Sequence, residues 1–307
     1  PLGSAPSVSG GMHLREMPDR LAFAKMQGVG NDFVVVDARR LPDYDWSGLA
    51  PEICDRRLGV GADGLIVVDT SNIADVAMRM YNPDGTPDFC GNGLRCVTRF
   101  VLDPPRPMDV PSKGADLTIQ TLRGVRASSL VRDGERVSIT VDMDRPRLDP
   151  LEVPVLLPRG PVMDHALHVA GEDLAITALS TGSTHAVALV DALPEDERFE
   201  RVSRAVEEHP LFPERTSLMW AVVEGRDRLR LRIWERGAGE TWGCGTGACA
   251  AAVAASLHGL VDETVRVASA GGELVVSWRE GGRIQMTGPA EYVFHGSYAL
   301  EPRAPAR

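Results

Sequence analysis

Cys90-Gly91-Asn92-Gly93 and Cys244-Gly245-Thr246-Gly247 are two copies of one short motif, and the rest of the chain is best interpreted around them. Each copy follows a strand-like segment and opens an apolar run that is compatible with a helix. The glycine after each cysteine lets the backbone turn sharply into that helix. The pattern predicts two thiols at helix N-termini, which can take a proton from one face of a carbon atom and return one to the other face.

The motif belongs to a longer internal repeat. Asp37 and Asp191 each end a strand-like run, and 154 positions separate them. The same 154 positions separate Cys90 from Cys244. An equal offset over so long a span indicates an internal duplication of about half the chain, and a single duplication predicts two similar lobes rather than a solenoid.

Short β-rich runs dominate both halves of the chain. Strands are predicted at 21–26, 33–37, 65–68, 74–81, 117–121, 136–141, 186–190, 218–223, 228–235, 264–267, 272–278, 283–287 and 291–295. Helices are predicted at 47–57, 92–102, 195–208 and 246–258. Glycine turn signals between strands are typical of antiparallel hairpins, and the helix after Cys244 is apolar on nearly every side, as buried helices are. The sequence thus predicts an α+β protein with a helix inside a curved sheet in each half.

These elements divide the chain into segments. Residues 1–18 are predicted to be a disordered tail that begins with a protease-cleavage scar, and residues 300–307 a second disordered tail. Residues 19–142 form the predicted N-terminal lobe, and residues 143–289 form the C-terminal lobe. The boundary is placed where Pro146 interrupts the strand pattern.

Composition disfavours several classes of function. A net charge of −10 over 307 residues disfavours nucleic acid and anionic membranes as partners, and no apolar stretch is long enough for a membrane span. The 5 cysteines and 7 histidines show no metal-ligand spacing, so no metal is predicted. An odd number of cysteines favours free thiols in a reducing cytoplasm.

Each motif can serve chemistry or packing. A helix N-terminus lowers the pKa of a thiol and offers backbone N–H groups to an anion, whereas one buried Cys-Gly pair alone is more often structural. Arg236 can clamp a carboxylate and Glu235 can hold an ammonium group, although such pairs are often surface ion pairs. His185 has a structural alternative as a hydrogen-bonded residue. The segment 59–64 matches G-x-G-x-x-G, but a helix precedes it and a strand follows, so a turn is predicted.

In combination, the motifs resemble the diaminopimelate epimerase family of pyridoxal-phosphate-independent amino acid racemases. The resemblance spans residues 21–299, and the strings that carry it are Phe23–Phe33, Tyr81–Gly85, Cys90–Gly93, Glu235–Thr241, Cys244–Ala250 and Met286–Ala290. It implies two pseudo-symmetric lobes, each a mostly antiparallel sheet around a central helix, with the active site in the cleft between them. A last strand at about 290–299 would return to the first lobe. The resemblance also implies a homodimeric isomerase without a cofactor, which converts LL-diaminopimelate to meso-diaminopimelate in lysine and cell-wall biosynthesis.

The resemblance assigns roles to individual residues. Cys90 and Cys244 are the two acid/base thiols, and the backbone N–H groups of Gly91-Asn92 and Gly245-Thr246 hold the reacting carboxylate. The other substrate contacts are assigned to Asn31, Asn82, Ser183, Ser217, Glu235 and Arg236. His185 and Glu235 support catalysis. The chemistry agrees, because two helix N-termini facing a carboxylate stabilise the enolate-like charge that forms when the α-proton leaves.

Four positions depart from the family pattern. Ser183 and Ser217 stand where asparagines usually contact the far end of the substrate, Gly64 stands where some members have Gln, and Trp242 stands where a small or polar residue is common. Because a polar pocket rejects analogues that leave its groups unpaired, a same-family racemase for a different amino acid is an alternative. Two weaker alternatives are a relative resembling the phenazine-biosynthesis isomerases, which lack the cysteine pair, and a non-catalytic protein that binds a small molecule.

Overall fold

The computed structural model describes residues 17–104 and 115–300, which form four helices and eighteen strands. The helices are α1 (Trp46–Cys54), α2 (Gly91–Leu102), α3 (Asp196–Glu207) and α4 (Gly245–Leu257). The strands of the first half are β1 (Arg20–Gly28), β2 (Asn31–Asp37), β3 (Gly64–Asp69), β4 (Val76–Tyr81), β5 (Pro87–Asp88), β6 (Ala115–Thr121), β7 (Gly124–Asp133) and β8 (Arg136–Asp142). Those of the second half are β9 (Val162–Val169), β10 (Glu172–Ser180), β11 (Thr184–Leu189), β12 (Ser217–Gly225), β13 (Arg228–Glu235), β14 (Gly239–Thr241), β15 (Thr264–Ser269), β16 (Gly272–Ser277), β17 (Gln285–Gly288) and β18 (Glu291–Ala299). Most of both predicted tails lies outside the described residues.

Hydrogen-bonded pairs join the strands into one continuous path. The path runs β18-β1-β2-β3-β4-β6-β7-β8-β17-β16-β15-β13-β12-β11-β10-β9, with β5 on β4 and β14 on β13. The pairs β2–β3, β4–β6, β11–β12 and β13–β15 are parallel, and the other pairs are antiparallel. The mostly antiparallel α+β architecture predicted from the sequence is confirmed.

The second half of the path repeats the first half in mirror order about the central pair β8–β17. Strands β1 to β4 correspond to β10 to β13, and α2 begins at Gly91 where α4 begins at Gly245, again 154 positions apart. We call β1–β8 with β18 the N-terminal lobe, and β9–β17 the C-terminal lobe. The strand beside β1 is β18, whereas the strand beside β10 is β9. The exact boundary near residue 142 stays a prediction, supported by the end of β8 at Asp142.

The central helices are buried because their side chains are small where they meet the sheet. In α4 all residues from Gly245 to Ala255 are buried, as the apolar pattern predicted. A β-carbon at Gly247 would lie 2.4 Å from Met219 Sδ, and one at Gly93 would lie 2.9 Å from Ile66 Cδ1. Glycine at the fourth position of each motif lets its helix pack closely on the lobe's own sheet, and a larger residue there would have to displace the ends of these side chains.

Several elements differ from the sequence prediction. The strands β7, β9 and β10 were missed because polar residues interrupt their apolar alternation; Arg126 and Ser128 occupy buried positions of β7. The helix predicted at 47–57 ends at Cys54, since the Asp55 side chain accepts the N–H groups of the next turn. The helix α1 buries one face, so it is only partly exposed. The segment 59–64 leads into β3 as a turn, as predicted.

No helix within residues 17–104 and 115–300 is long and apolar enough to cross a membrane.

Candidate active site

The two cysteines occupy the same structural position in the two lobes. Cys90 is the N-cap of α2 with φ −133° and ψ 117°, and Cys244 is the N-cap of α4 with φ −126° and ψ 108°. Each Sγ accepts a hydrogen bond, from the backbone N–H of Gly93 or Gly247, at 3.4 Å. Both thiols therefore lie where the helix leaves backbone donors unpaired.

Burial outweighs the helix N-terminus in setting the thiol pKa values. Desolvation raises the pKa of the Cys90 thiol to about 12, and the nearby Glu235 charge adds to the effect. The pKa of the Cys244 thiol lies well above its usual value because of burial, the charge of Glu235 and a hydrogen bond to that carboxyl. The backbone N–H groups at the helix N-termini do lower these pKa values, as predicted, but burial outweighs them, so both pKa values are raised. A thiolate formed here is a strong base.

The charge of Glu235 acts on both thiols. It stands at the end of β13, where its carboxyl hydrogen-bonds the Cys244 thiol and accepts from Thr241 Oγ1 at 2.5 Å. Burial raises its own pKa. Because its charge raises the pKa of Cys90 as well as that of Cys244, protonation of one group affects the other two.

Amide side chains surround Cys90. Asn31 Oδ1 lies 3.5 Å from Cys90 Sγ and accepts a hydrogen bond from Asn92 Nδ2 at 3.2 Å. Asn92 Nδ2 also lies 3.4 Å from the carbonyl oxygen of Gly243, the residue before Cys244. One amide therefore links the two halves of the site.

Hydroxyl groups connect Cys244 to a buried histidine. Cys244 Sγ lies 3.4 Å from Thr246 Oγ1, which lies 3.4 Å from Ser183 Oγ, which in turn lies 3.1 Å from His185 Nε2. Burial, together with the charge of Arg236, lowers the pKa of His185 to about 3, so its ring is neutral. Its Nδ1 has no hydrogen-bond partner within the part of the chain that the structure describes.

The two helix N-termini approach each other closely. A β-carbon at Gly245 would lie 2.8 Å from Asn92 Oδ1, and one at Gly91 would lie 2.7 Å from Met143 Cε. A larger residue at Gly245 would collide with Asn92 in the first turn of α2, and one at Gly91 would collide with Met143. The first-turn N–H groups of α2 and α4, which the sequence assigns to the substrate carboxylate, are thus directed toward one small region.

Three predicted site residues lie at the margin of this arrangement. Asn82 donates to Thr86 Oγ1 at 3.1 Å, within the loop before Cys90. Ser217 Oγ accepts the backbone N–H of Arg236 at 3.0 Å, and the exposed Arg236 donates to the Glu214 carbonyl at 2.7 Å. Their hydrogen bonds are to neighbouring loops, and neither thiol is among the partners.

Two further residues belong to the site and were not singled out in the sequence. Arg95 of α2 is completely buried and donates to Asn92 Oδ1 at 2.9 Å. Asp63 Oδ2 accepts from Asn31 Nδ2 at 2.8 Å. Arg95 falls on the buried part of α2, between Leu94 and Cys96, and a charged residue in that place was a usable signal. Asp63 lies in the turn before β3, and no sequence pattern marks it.

Solved structures share this fold. A hydroxyproline epimerase from Agrobacterium vitis superposes with a TM-score of 0.67 at 16% identity, over 95% of this chain and 94% of that chain. A phenazine biosynthesis protein of the PhzF family from Bacillus anthracis superposes with a TM-score of 0.62 at 18% identity, over 92% of this chain and 99% of that chain. The duplicated fold is therefore one that this hydroxyproline epimerase and this PhzF-family protein also have.

Sequence comparison gives the family within that class. The family model for diaminopimelate epimerase matches residues 23–148 and 177–293, and the two matches begin 154 positions apart. A diaminopimelate epimerase of Desulfitobacterium hafniense is 43% identical over 283 residues, which covers 90% of this chain and 97% of that protein. One of Moorella thermoacetica is 43% identical over 91% of this chain and 99% of that protein. The chain belongs to the diaminopimelate epimerase family.

Proposed function

We propose that the protein is an isomerase that converts LL-diaminopimelate to meso-diaminopimelate, with Cys90 and Cys244 as the two proton-transfer groups. The observation that carries the proposal is the pair of structurally equivalent thiols, each capping the helix of one lobe. Relatives about 43% identical over most of the chain are named diaminopimelate epimerases. That name favours diaminopimelate over a different amino acid as the substrate.

The proposed reaction moves two protons. The thiolate of one cysteine takes the α-proton, and the electron pair of the broken C–H bond stays on the α-carbon, delocalised into the carboxylate. N–H groups of Gly91-Asn92 and Gly245-Thr246 stabilise that charge. The other thiol donates its proton to the opposite face and becomes the thiolate. A high pKa makes the thiolate a stronger base toward the very weakly acidic α-proton, but it also lowers the fraction of thiolate at neutral pH.

The remaining assigned residues would hold the rest of the substrate. Asn31 and Glu235 lie beside the thiols and are suited to the ammonium group. Asn82 and Arg236 lie in loops, and Ser217, the first residue of β12, accepts the Arg236 N–H; we place the far end of the substrate beside these three residues. Ser183 is linked to Cys244 through the Thr246 hydroxyl, and it also hydrogen-bonds to His185.

Isotope exchange tests the proposal. In heavy water, deuterium should enter an α-carbon of diaminopimelate, and LL- and meso-forms should interconvert. Replacing Cys90 or Cys244 with alanine should reduce interconversion by about a thousand-fold or more. Cys54→Ala is the matched control, because Cys54 is buried under α1 away from the motif helices. Exchange into a different amino acid alone, or full activity in both variants, would contradict the proposal.

We also infer a homodimer that forms through β18. Val293 is 57% exposed and Phe294 is 46% exposed on this strand. β18 pairs with β1 along one edge, and no strand within the described residues pairs with its other edge. An exposed apolar edge is a surface that a second copy can cover. Phe294→Glu should give monomers in analytical ultracentrifugation, whereas Leu58→Glu, at a residue 90% exposed elsewhere, should not. A cytoplasmic location stays a prediction, supported by five free cysteines.

A further inference from the structure

Four side chains form a hydrogen-bonded chain across the Cys90 side of the site. Arg95 Nη2 donates to Asn92 Oδ1 at 2.9 Å. Asn92 Nδ2 donates to Asn31 Oδ1 at 3.2 Å. Asn31 Nδ2 donates to Asp63 Oδ2 at 2.8 Å. Two amides are thus held head to tail between a cation and an anion.

The charged ends give this chain only one direction. A guanidinium group can only donate hydrogen bonds, and a carboxylate can only accept them. Turning either amide over would place N–H against N–H at one end and oxygen against oxygen at the other. The orientation of the Asn92 and Asn31 amides, otherwise ambiguous by shape, is therefore set by Arg95 and Asp63. Bonds in such a chain also polarise and strengthen one another.

The direction of the chain decides what Cys90 faces. Asn31 Oδ1, an acceptor, lies 3.5 Å from Cys90 Sγ, so the thiol donates a hydrogen bond to it and the amide oxygen disfavours the thiolate. Glu235 and Asp88 also oppose the thiolate, whereas Arg95 is the cation that favours it. A reversed Asn31 would present N–H to the sulfur and make it a weaker base.

Both ends of the chain are firmly held. Arg95 is 0% exposed, and its other hydrogen bonds are to the Pro289 carbonyl at 3.0 Å and to Met286 Sδ at 3.5 Å. Among the described residues no carboxylate pairs with Arg95. Because burial of an unpaired cation costs free energy, a purely structural role does not account for it. Asp63 is held in turn by Arg56 at 2.7 Å.

The equivalent positions in the C-terminal lobe cannot form such a chain. The residues equivalent to Arg95, Asn92 and Asn31, 154 positions later, are Cys249, Thr246 and His185, and the residues around the start of β12, beside His185, are Thr216, Ser217 and Leu218. None of these has a charged side chain that fixes a direction. The chain is therefore specific to Cys90 and is not a by-product of the repeated fold.

We propose that Asp63 and Arg95 are positioning residues. They act through Asn31 and Asn92 to keep the acceptor oxygen of Asn31 directed at the Cys90 thiol. The proposal rests on the proposed function for its catalytic consequence, because a more basic Cys90 matters only if that thiol moves the α-proton. The orientation of the amides can be tested without any substrate.

Asp63→Leu is the decisive variant, because leucine has no acceptor for the Asn31 N–H, and Asp32→Leu is its matched control. Both aspartates pair with Arg56, but only Asp63 holds the Asn31 side chain. Alkylation of substrate-free protein by iodoacetamide, followed at each cysteine by mass spectrometry, gives the pH at which each thiol ionises. Asp63→Leu should lower that pH for Cys90 by about one unit and leave Cys244 unchanged. It should also lower kcat by about ten-fold or more, although the thiolate forms more readily.

The control separates orientation from charge. Asp32→Leu removes an equal charge and should shift the Cys90 ionisation much less. Equal shifts in the two variants, or no shift in Asp63→Leu, would overturn the proposal. A shift at Cys90 in a protein that exchanges no amino acid would support the chain and contradict the proposed function.

Arg95 provides an independent test. Arg95→Lys keeps a donor for Asn92 Oδ1, whereas Arg95→Met keeps only the bulk. We expect the lysine variant to retain at least about ten-fold more kcat than the methionine variant when circular dichroism shows both to be folded. Equal kcat values would contradict the role of Arg95. If the buried methionine variant fails to fold, the Asp63 measurements decide.

Discussion

Cys90 in the N-terminal lobe faces an amide oxygen, whereas the equivalent Cys244 in the C-terminal lobe faces a carboxyl and a hydroxyl. The backbone geometry of the two cysteines is nearly the same, down to the 3.4 Å contact from the third N–H of each helix. The duplicated feature is therefore the main chain around each thiol, in which backbone N–H groups of a helix N-terminus face the sulfur. The side chains around each thiol have diverged, so the two thiols can serve the two faces of one carbon atom with different proton affinities.

Glu235→Gln should have the largest effect on this asymmetry. Glu235 raises the pKa of Cys244 by charge and by a hydrogen bond, and that of Cys90 by charge alone. Removing the anion should lower both pKa values, Cys244 more than Cys90, and should reduce kcat by about ten-fold or more. Iodoacetamide labelling against pH measures each shift. The control is Glu240→Gln, at a residue that pairs with Arg232. A larger pKa shift at Cys90 than at Cys244 would contradict the stronger effect of Glu235 on Cys244.

Alanine at the fourth position of each motif should sharpen the comparison of the two helices. A β-carbon at Gly247 would meet Met219 Sδ at 2.4 Å, whereas the nearest atoms to one at Gly93 are at 2.9 Å. Overpacking of this kind costs about 1–3 kcal/mol, so Gly247→Ala should destabilise the protein more than Gly93→Ala does. Urea unfolding gives both values. The opposite order would mean that the side chains around Gly247 rearrange at a lower free-energy cost than those around Gly93.

The third prediction compares His185 with Asn31, its equivalent in the N-terminal lobe, which cannot titrate. The folded pKa of His185 is about 3, against 6.5 for an unperturbed histidine. The unfolded chain therefore takes up the proton first, and this stabilising contribution is present above pH 6.5 and lost as the pH falls toward 3.

Replacing this histidine tests the sign of that effect. From about pH 7.5 to about pH 5, the unfolding free energy of the parent protein should fall by about 2 kcal/mol more than that of His185→Gln. His168→Gln, at an exposed histidine, should follow the parent protein. Parallel pH dependence in the parent and in His185→Gln would contradict a buried, neutral ring.

Much of the fold could be predicted because the repeat and the apolar pattern agree. All four helices were predicted within a few residues, and the offset of Cys90 and Cys244 led to the two lobes. The strands β9 and β10 could not be predicted, because ladder bonds to neighbouring strands stabilise sequences such as Val162–Val169, which carries Asp164, His165 and His168 among its apolar residues. Tertiary pairing decides such segments, and local composition does not.

The site was predicted less completely than the fold. Motif resemblance led to the cysteines and their first-turn glycines, because their backbone role requires those residue types. It did not lead to Asp63 or Arg95, whose importance comes from the amides between them. Nor did it predict the raised thiol pKa values, because a sequence shows a helix N-terminus but not how deeply the sulfur is buried.

The pairing of β18 with β1 has a consequence for how the protein is made. On the ribosome, β9 precedes its partner β10 by a short turn, so that edge of the C-terminal lobe can close at once. β1 must wait for a strand in which Tyr298 pairs back with Leu21. The lobe that is synthesised first is therefore completed last. Until then its β1 edge stays open to wrong partners, and slow, long-range closure of this kind favours chaperone binding during synthesis.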